Sequence, residues 1–129
     1  VKKLFLDANI LFSVAWRENS GLLRLGKLTK AKLLTSGYAV EEARRNLEND
    51  EQRQRLAAFL LKIEILPDCP DQILPVKLAE KDRPILQAAI GHRADFLITG
   101  DRQHFGAFYG KNIGGVQIFS PAEILKKLE

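Results

Sequence analysis

Short apolar runs alternating with longer amphipathic stretches constrain the fold of this chain more than any other feature. Lys3 to Asp7 (KLFLD), Lys32 to Thr35, Ile63 to Leu66, Phe96 to Thr99 and Val116 to Phe119 read as five strands. Between them lie helical patterns: Asn9 to about Leu28, broken near Asn19, Ser20 and Gly21; Tyr38 to Leu47; Glu51 to Leu61; and Asp82 to His92. Asp68 to Pro75 reads as a loop, followed by a short helical turn around Val76 to Glu80. Ser120 is placed to cap a final helix, with Pro121 at its first position and Glu123 three residues past the cap. Strand and helix in alternation predict an α/β fold, with helices on both faces of a central, mostly parallel five-stranded sheet in an α/β/α arrangement.

A length of 129 residues suits one domain spanning 1–129. The apolar fraction of 46% and charged fraction of 28% are ordinary for a globular protein, and no apolar run approaches the ~18 residues of a membrane span. Cys69 is the only cysteine, which excludes an internal disulfide or a Cys-based metal site and fits a reducing cytoplasm. Lys2, Lys3 and Asp7 interrupt the first apolar residues, so no signal peptide is expected. The net charge of +4 favours polyanionic partners without identifying one.

Against that basic background stand Asp7, Glu42, Asp82 and Asp101. In open parallel sheets ligands bind beyond the carboxyl ends of the strands, and Asp7 and Asp101 follow two of the apolar runs. Taken singly, each has an ordinary explanation as a turn former or helix cap. On a helix turning about 100° per residue, Val40, Ala43 and Leu47 form the buried stripe; Glu42 and Asn46 flank it, and Glu41 points nearly opposite. Glu42 is therefore the site candidate, against the alternative that it merely pairs with Arg44 or Arg45. Asp82 opens the helix DRPILQAAI as a natural N-cap, yet projects onto the face of Leu86, Ala89 and Ile90, which turns it inward.

LDAN at Leu6 to Asn9, EEARRNL at Glu41 to Leu47, DRPILQAA at Asp82 to Ala89 and ADFLITGD at Ala94 to Asp101, followed by His104 and Phe105, together resemble the PIN domain nucleases over essentially the whole length. The resemblance implies a PIN-like, Rossmann-like three-layer fold, dependence on Mg²⁺ or Mn²⁺, and cleavage of single-stranded or structured RNA. It further implies a role like that of the small toxins of toxin–antitoxin pairs, with a small antitoxin as protein partner and self-association, most simply as a dimer. By motif, the family's acids fall on Asp7, Glu42, Asp82 and Asp101, and Thr99 matches a hydroxyl position beside the site.

The chemistry is consistent with the pattern. Hard divalent cations prefer oxygen ligands, and Mg²⁺ takes one or two carboxylates while keeping waters and binding substrate phosphate. Asp7, Asp82 and Asp101 are expected to hold one or two ions, with Glu42 completing the set, and Asn9, Asn46, Thr99 and Arg102 in supporting or substrate-side positions. His92 and His104 lack ligand spacing and read as locally bonded side chains, Asp95 reads as structural, and Phe12 and Trp16 read as core. Other functions compatible with the sequence are a housekeeping RNA-processing nuclease, a non-cleaving RNA-binding module, and an aspartate-based phosphotransferase. The last is disfavoured because Asn9 stands where a second acid of a DxD pair would be.

Overall fold

A computed structural model describes residues 1–129. Five parallel strands are centred on β1 (Lys2–Leu6): β2 (Ala31–Ser36) and β3 (Ile63–Leu66) lie to one side, β4 (Phe96–Ile98) and then β6 (Val116–Phe119) to the other. A two-residue β5 (Asn112–Ile113) turns back antiparallel onto β6 (Val116–Phe119), giving the order β3-β2-β1-β4-β6-β5. The sheet thus has six strands instead of the expected five. The added strand forms because Gly114 and Gly115 take positive φ, the backbone a tight reversal requires, at +61° and +93°.

Helices cover both faces of this sheet, completing the three-layer α/β/α arrangement: α1 (Ala8–Trp16), α2 (Gly37–Asn46), α3 (Asp50–Leu60), α4 (Arg83–Gly91), the short α5 (Arg102–Phe105) and α6 (Pro121–Leu128). The first helical stretch ends at Trp16, earlier than its apolar pattern extends. Its last carbonyls are bonded from α3 instead: Arg55 donates to Ala15 and Trp16, and Gln52 donates to Trp16. Asn19 then takes a left-handed φ of 56°, which asparagine tolerates, and Gly21–Lys27 continue as a 3₁₀ helix. Residues 76–80 do not form the expected helical turn, and α5 lies where no helix was anticipated.

Residues Leu4, Phe5 and Leu6 of β1 and Leu97 and Ile98 of β4 are fully buried, as expected for strands covered on both faces. Their register pairs Leu4 with Phe96, Phe5 with Leu97 and Leu6 with Ile98, so both strands end level. The chain leaves β1 toward β2 on one side and leaves β4 toward β6 on the other. The crevice between two such diverging connections is where open α/β sheets bind ligands. Asp7 and Thr99 are the first residues beyond those two strand ends.

Candidate metal centre

A cleft of about 410 Å³ opens at this edge, and Asp7, Glu42, Asp82 and Asp101 all line it. Four separate elements deliver them: the end of β1, the middle of α2, the start of α4 and the turn after β4. Asn9 and Asn46 share the lining, while Phe12, Trp16, Ala43 and Ile85 make an apolar wall.

Asp7 is buried and anchored at both oxygens. Ala8 N–H donates to Oδ1 at 2.6 Å, and the Thr99 hydroxyl donates to Oδ2 at 2.7 Å. Burial pushes its carboxyl up to about 6; the Thr99 and Ala8 hydrogen bonds oppose the rise, and the charges of Asp82 and Asp101 add to it. Thr99 is the hub of this corner. Its Oγ1 accepts from Asp101 N–H at 3.0 Å and from the Asn9 amide at 3.3 Å, and the Asn9 carbonyl in turn accepts from Gly100 N–H.

Asp101 caps α5 by accepting from His104 N–H on Oδ1 at 3.0 Å, while its Oδ2 lies 2.7 Å from His104 Nδ1. Partial burial would raise this carboxyl, but the backbone and side-chain bonds to His104 outweigh it and hold the group below its ordinary value. Asp82 behaves differently. Although it stands at the N-terminus of α4, it makes no capping bond, so the ordinary account of an aspartate at this position does not apply. Burial raises its pKa, and its Oδ2 is enclosed without a hydrogen-bond donor. His104 Nδ1 lies 3.1 Å from that oxygen, but a ring nitrogen carries at most one hydrogen and the shorter contact is to Asp101. Proximity therefore does not amount to a bond, and Asp82 Oδ2 is an orphan.

Glu42 faces the cleft with its side chain 27% exposed, whereas Glu41 is 61% exposed and pairs with Arg44 outside it. Arg45 bonds Glu42 Oε1 at 2.9 Å, so the helix ion pair and the inward orientation coexist. Asn46 donates to the Glu42 backbone carbonyl at 2.8 Å. Arg102 is exposed on α5 and does not line the cleft. Asp95 accepts from Lys3 N–H at 2.7 Å at the opposite end of β4, a purely local role.

No family model and no curated protein sequence matches the chain. Among solved structures it is similar to VapBC2 from Rickettsia felis bound to a DNA fragment from their promoter, with a TM-score of 0.66 and 17% identity over 92% of this chain and 98% of that one. It is similar to FitAB bound to the IR36 DNA fragment, with a TM-score of 0.58 and 20% identity over 92% and 94%. It is also similar to the PIN domain endonuclease Utp24, with a TM-score of 0.56 and 20% identity over 92% and 84%. The chain has the PIN fold.

Within that PIN fold, the three side chains whose potential ligand atoms lie within 4.8 Å of one another are Asp82, Asp101 and His104; Asp7 and Glu42 line the same cleft without belonging to this group. The donors present fit a divalent cation. An enclosed carboxylate oxygen with no hydrogen-bond donor is costly by itself and is relieved by a positive ion. His104 is locally bonded, as its sequence reading has it, but nothing in the sequence signals its approach to Asp82, which arises because Asp101 caps a four-residue helix and swings the histidine back over itself. Sequence reading missed Tyr38, whose hydroxyl donates to the Lys81 carbonyl at 2.9 Å and ties α2 to the segment carrying Asp82. Trp16 is 39% exposed and stacked on Phe12 along the cleft wall, rather than lying in the core as its apolar neighbours suggest.

Proposed function

We propose that the protein is a divalent-metal-dependent ribonuclease that hydrolyses phosphodiester bonds, acting as the toxin of a toxin–antitoxin pair. The observation that carries this reading is the convergence of four carboxylates from four elements on one cleft, with a buried oxygen of Asp82 lacking any donor. Leaving carboxylates this close without compensation is unfavourable, and a bound cation removes the penalty. The similar fold of a protein described as a PIN domain endonuclease supports the same chemistry.

Asp7, Asp82 and Asp101 hold Mg²⁺ or Mn²⁺, with Glu42 at the cleft edge. When bound, the ion acidifies water and neutralises charge on the phosphate. The residues of the chain do the rest. Thr99 fixes Asp7 and favours its ionised form, Asn9 braces the turn at Gly100, and Glu42 is placed to orient an attacking water. No side-chain nucleophile is needed. The net charge of +4 draws the polyanion toward this acidic focus, and Arg102, exposed beside Asp101, contacts the RNA backbone. A small antitoxin is the protein partner, and the protein works in the cytoplasm as a homo-oligomer, most simply a dimer. No helix is long and apolar enough to cross a membrane.

The test is incubation with labelled single-stranded RNA and Mg²⁺ or Mn²⁺, beside the Asp7→Asn, Asp101→Asn double variant and an EDTA control. Cleavage lost in both controls is expected. Cleavage that survives them contradicts the mechanism, and tight binding without cleavage identifies an RNA-binding module instead.

A further inference from the structure

The carboxylates account for a cation in the cleft, but not for the imidazole in their midst. Three atoms face one another at this point: Asp82 Oδ2, Asp101 Oδ2 and His104 Nδ1. The nitrogen lies 3.1 Å from the first oxygen and 2.7 Å from the second. Donor atoms sharing a first-row ion at about 2.1 Å are spaced about 3 Å apart when they sit at right angles around it. The observed spacings bracket that value.

No group outside the cluster holds any of the three: Asp101 Oδ2 and His104 Nδ1 are bonded only to each other, and Asp82 Oδ2 has no donor. Asp101 uses its other oxygen, Oδ1, for the cap of α5, and Asp82 Oδ2 is enclosed with no donor in a residue only 6% exposed. By contrast, both oxygens of Asp7 are already bonded, and Oε1 of Glu42 is bonded to Arg45. Two cleft oxygens held by nothing outside the cluster, Oδ2 of Asp82 and Oδ2 of Asp101, therefore lie against one nitrogen.

We infer that His104 is a metal ligand through Nδ1, forming with Asp82 and Asp101 a mixed nitrogen–oxygen site that takes a first-row transition ion, Mn²⁺ in the test below, in preference to Mg²⁺. This rests on the reading of the cleft as a metal centre and narrows it. Mg²⁺ binds oxygen almost exclusively and dehydrates reluctantly, so an imidazole adds little to its affinity, whereas first-row transition ions accept nitrogen readily. The alternative role for His104 is that of a counter-ion between two acids, which contributes nothing to binding once a cation is present.

Pulsed electron paramagnetic resonance of Mn²⁺ bound to the wild-type protein tests the assignment without any variant. Coupling to a directly bound nitrogen is expected. Only two histidines exist in the chain, and His92 lies past the far end of α4, about 15 Å along the helix from Asp82, with Nε2 against the Pro67 carbonyl. The coupling should survive in His92→Gln and vanish in His104→Gln. In calorimetric titrations His104→Gln should lose about tenfold or more in Mn²⁺ affinity while Mg²⁺ affinity changes less than about threefold. Bound Mn²⁺ without nitrogen coupling, or equal losses for both ions, overturns the role of His104 and leaves the carboxylate centre standing. Absence of binding by either ion to the wild type overturns both.

Discussion

Oδ2 of Asp7 accepts a 2.7 Å hydrogen bond from the hydroxyl of Thr99, joining the ends of β1 and β4 at the centre of the sheet. The two residues are far apart in sequence but adjacent in space because β1 and β4 pair in parallel and end level. Thr99 has no exposed surface, so this bond is made out of contact with water.

Thr99→Val keeps the shape of the side chain and removes the hydroxyl. Asp7 loses a donor and Asp101 N–H loses an acceptor. A stability loss of about 1–3 kcal/mol is expected, together with a further rise in the Asp7 pKa. Thr99→Ser should recover most of both. Urea denaturation of the two variants beside wild type checks this; equal stability of Thr99→Val and wild type would show that the bond is not needed.

Asp7 carries a pH signature. Its pKa is about 6 in the folded protein against 3.8 as a free group, so between those values the folded state holds a proton that the unfolded state has lost. Stability therefore falls as pH rises through this window and is level above it. A shift of this size corresponds to about 3 kcal/mol as an upper figure. In EDTA, Asp7→Asn should be more stable than wild type by about 1–3 kcal/mol at pH 7.5 and nearly equal to it at pH 4, and it should stay inactive when Mg²⁺ or Mn²⁺ is restored. Denaturation midpoints at the two pH values measure it. A variant less stable than wild type at pH 7.5 would contradict the burial argument.

Glu41 and Glu42 provide an internal comparison. Both pair with an arginine three residues on, but only Glu42 lines the cleft. Surface pairs of this kind contribute little, so Glu41→Gln and Glu42→Gln should each change stability by less than about 0.5–1 kcal/mol. Cleavage should fall about 10²-fold or more in Glu42→Gln and stay within about twofold of wild type in Glu41→Gln. Rates on one RNA substrate, measured side by side, decide between the two positions.

Gly114 connects the edge hairpin to the helix carrying Asp82. Its φ of +61° disfavours any side chain, and an added Cβ would lie 2.8 Å from Cδ1 of Ile90 on α4. Gly114→Ala should cost about 1–2 kcal/mol from the left-handed backbone alone. Thermal melting checks this, and an unchanged midpoint would show that the hairpin relaxes freely.

The strands and their ends were readable from sequence because the parallel ones are continuous apolar runs closed by polar residues; KLFLD and FLITGD announce both the burial and the place where it stops. The inward turn of Glu42 was readable from the helical period, since Val40 and Ala43 mark the buried stripe. β5 was not readable, because two residues leave no period and the hairpin depends on glycine conformation. The end of α1 at Trp16 was hidden because its terminal carbonyls are satisfied by Gln52 and Arg55 from another helix. His104 escaped for a similar reason: its spacing from Asp101 is visible, but the approach of Asp82 comes from packing between elements. The missing cap at Asp82 likewise shows only in three dimensions.

The central claim is that the cleft carboxylates gather a divalent cation. Anomalous diffraction from crystals soaked in Mn²⁺ tests it most directly. A peak in the cleft within about 2.0–2.4 Å of oxygens of Asp82 and Asp101 is the expected result. A cleft without a peak at saturating Mn²⁺, or an ion bound only elsewhere on the protein, would contradict the account.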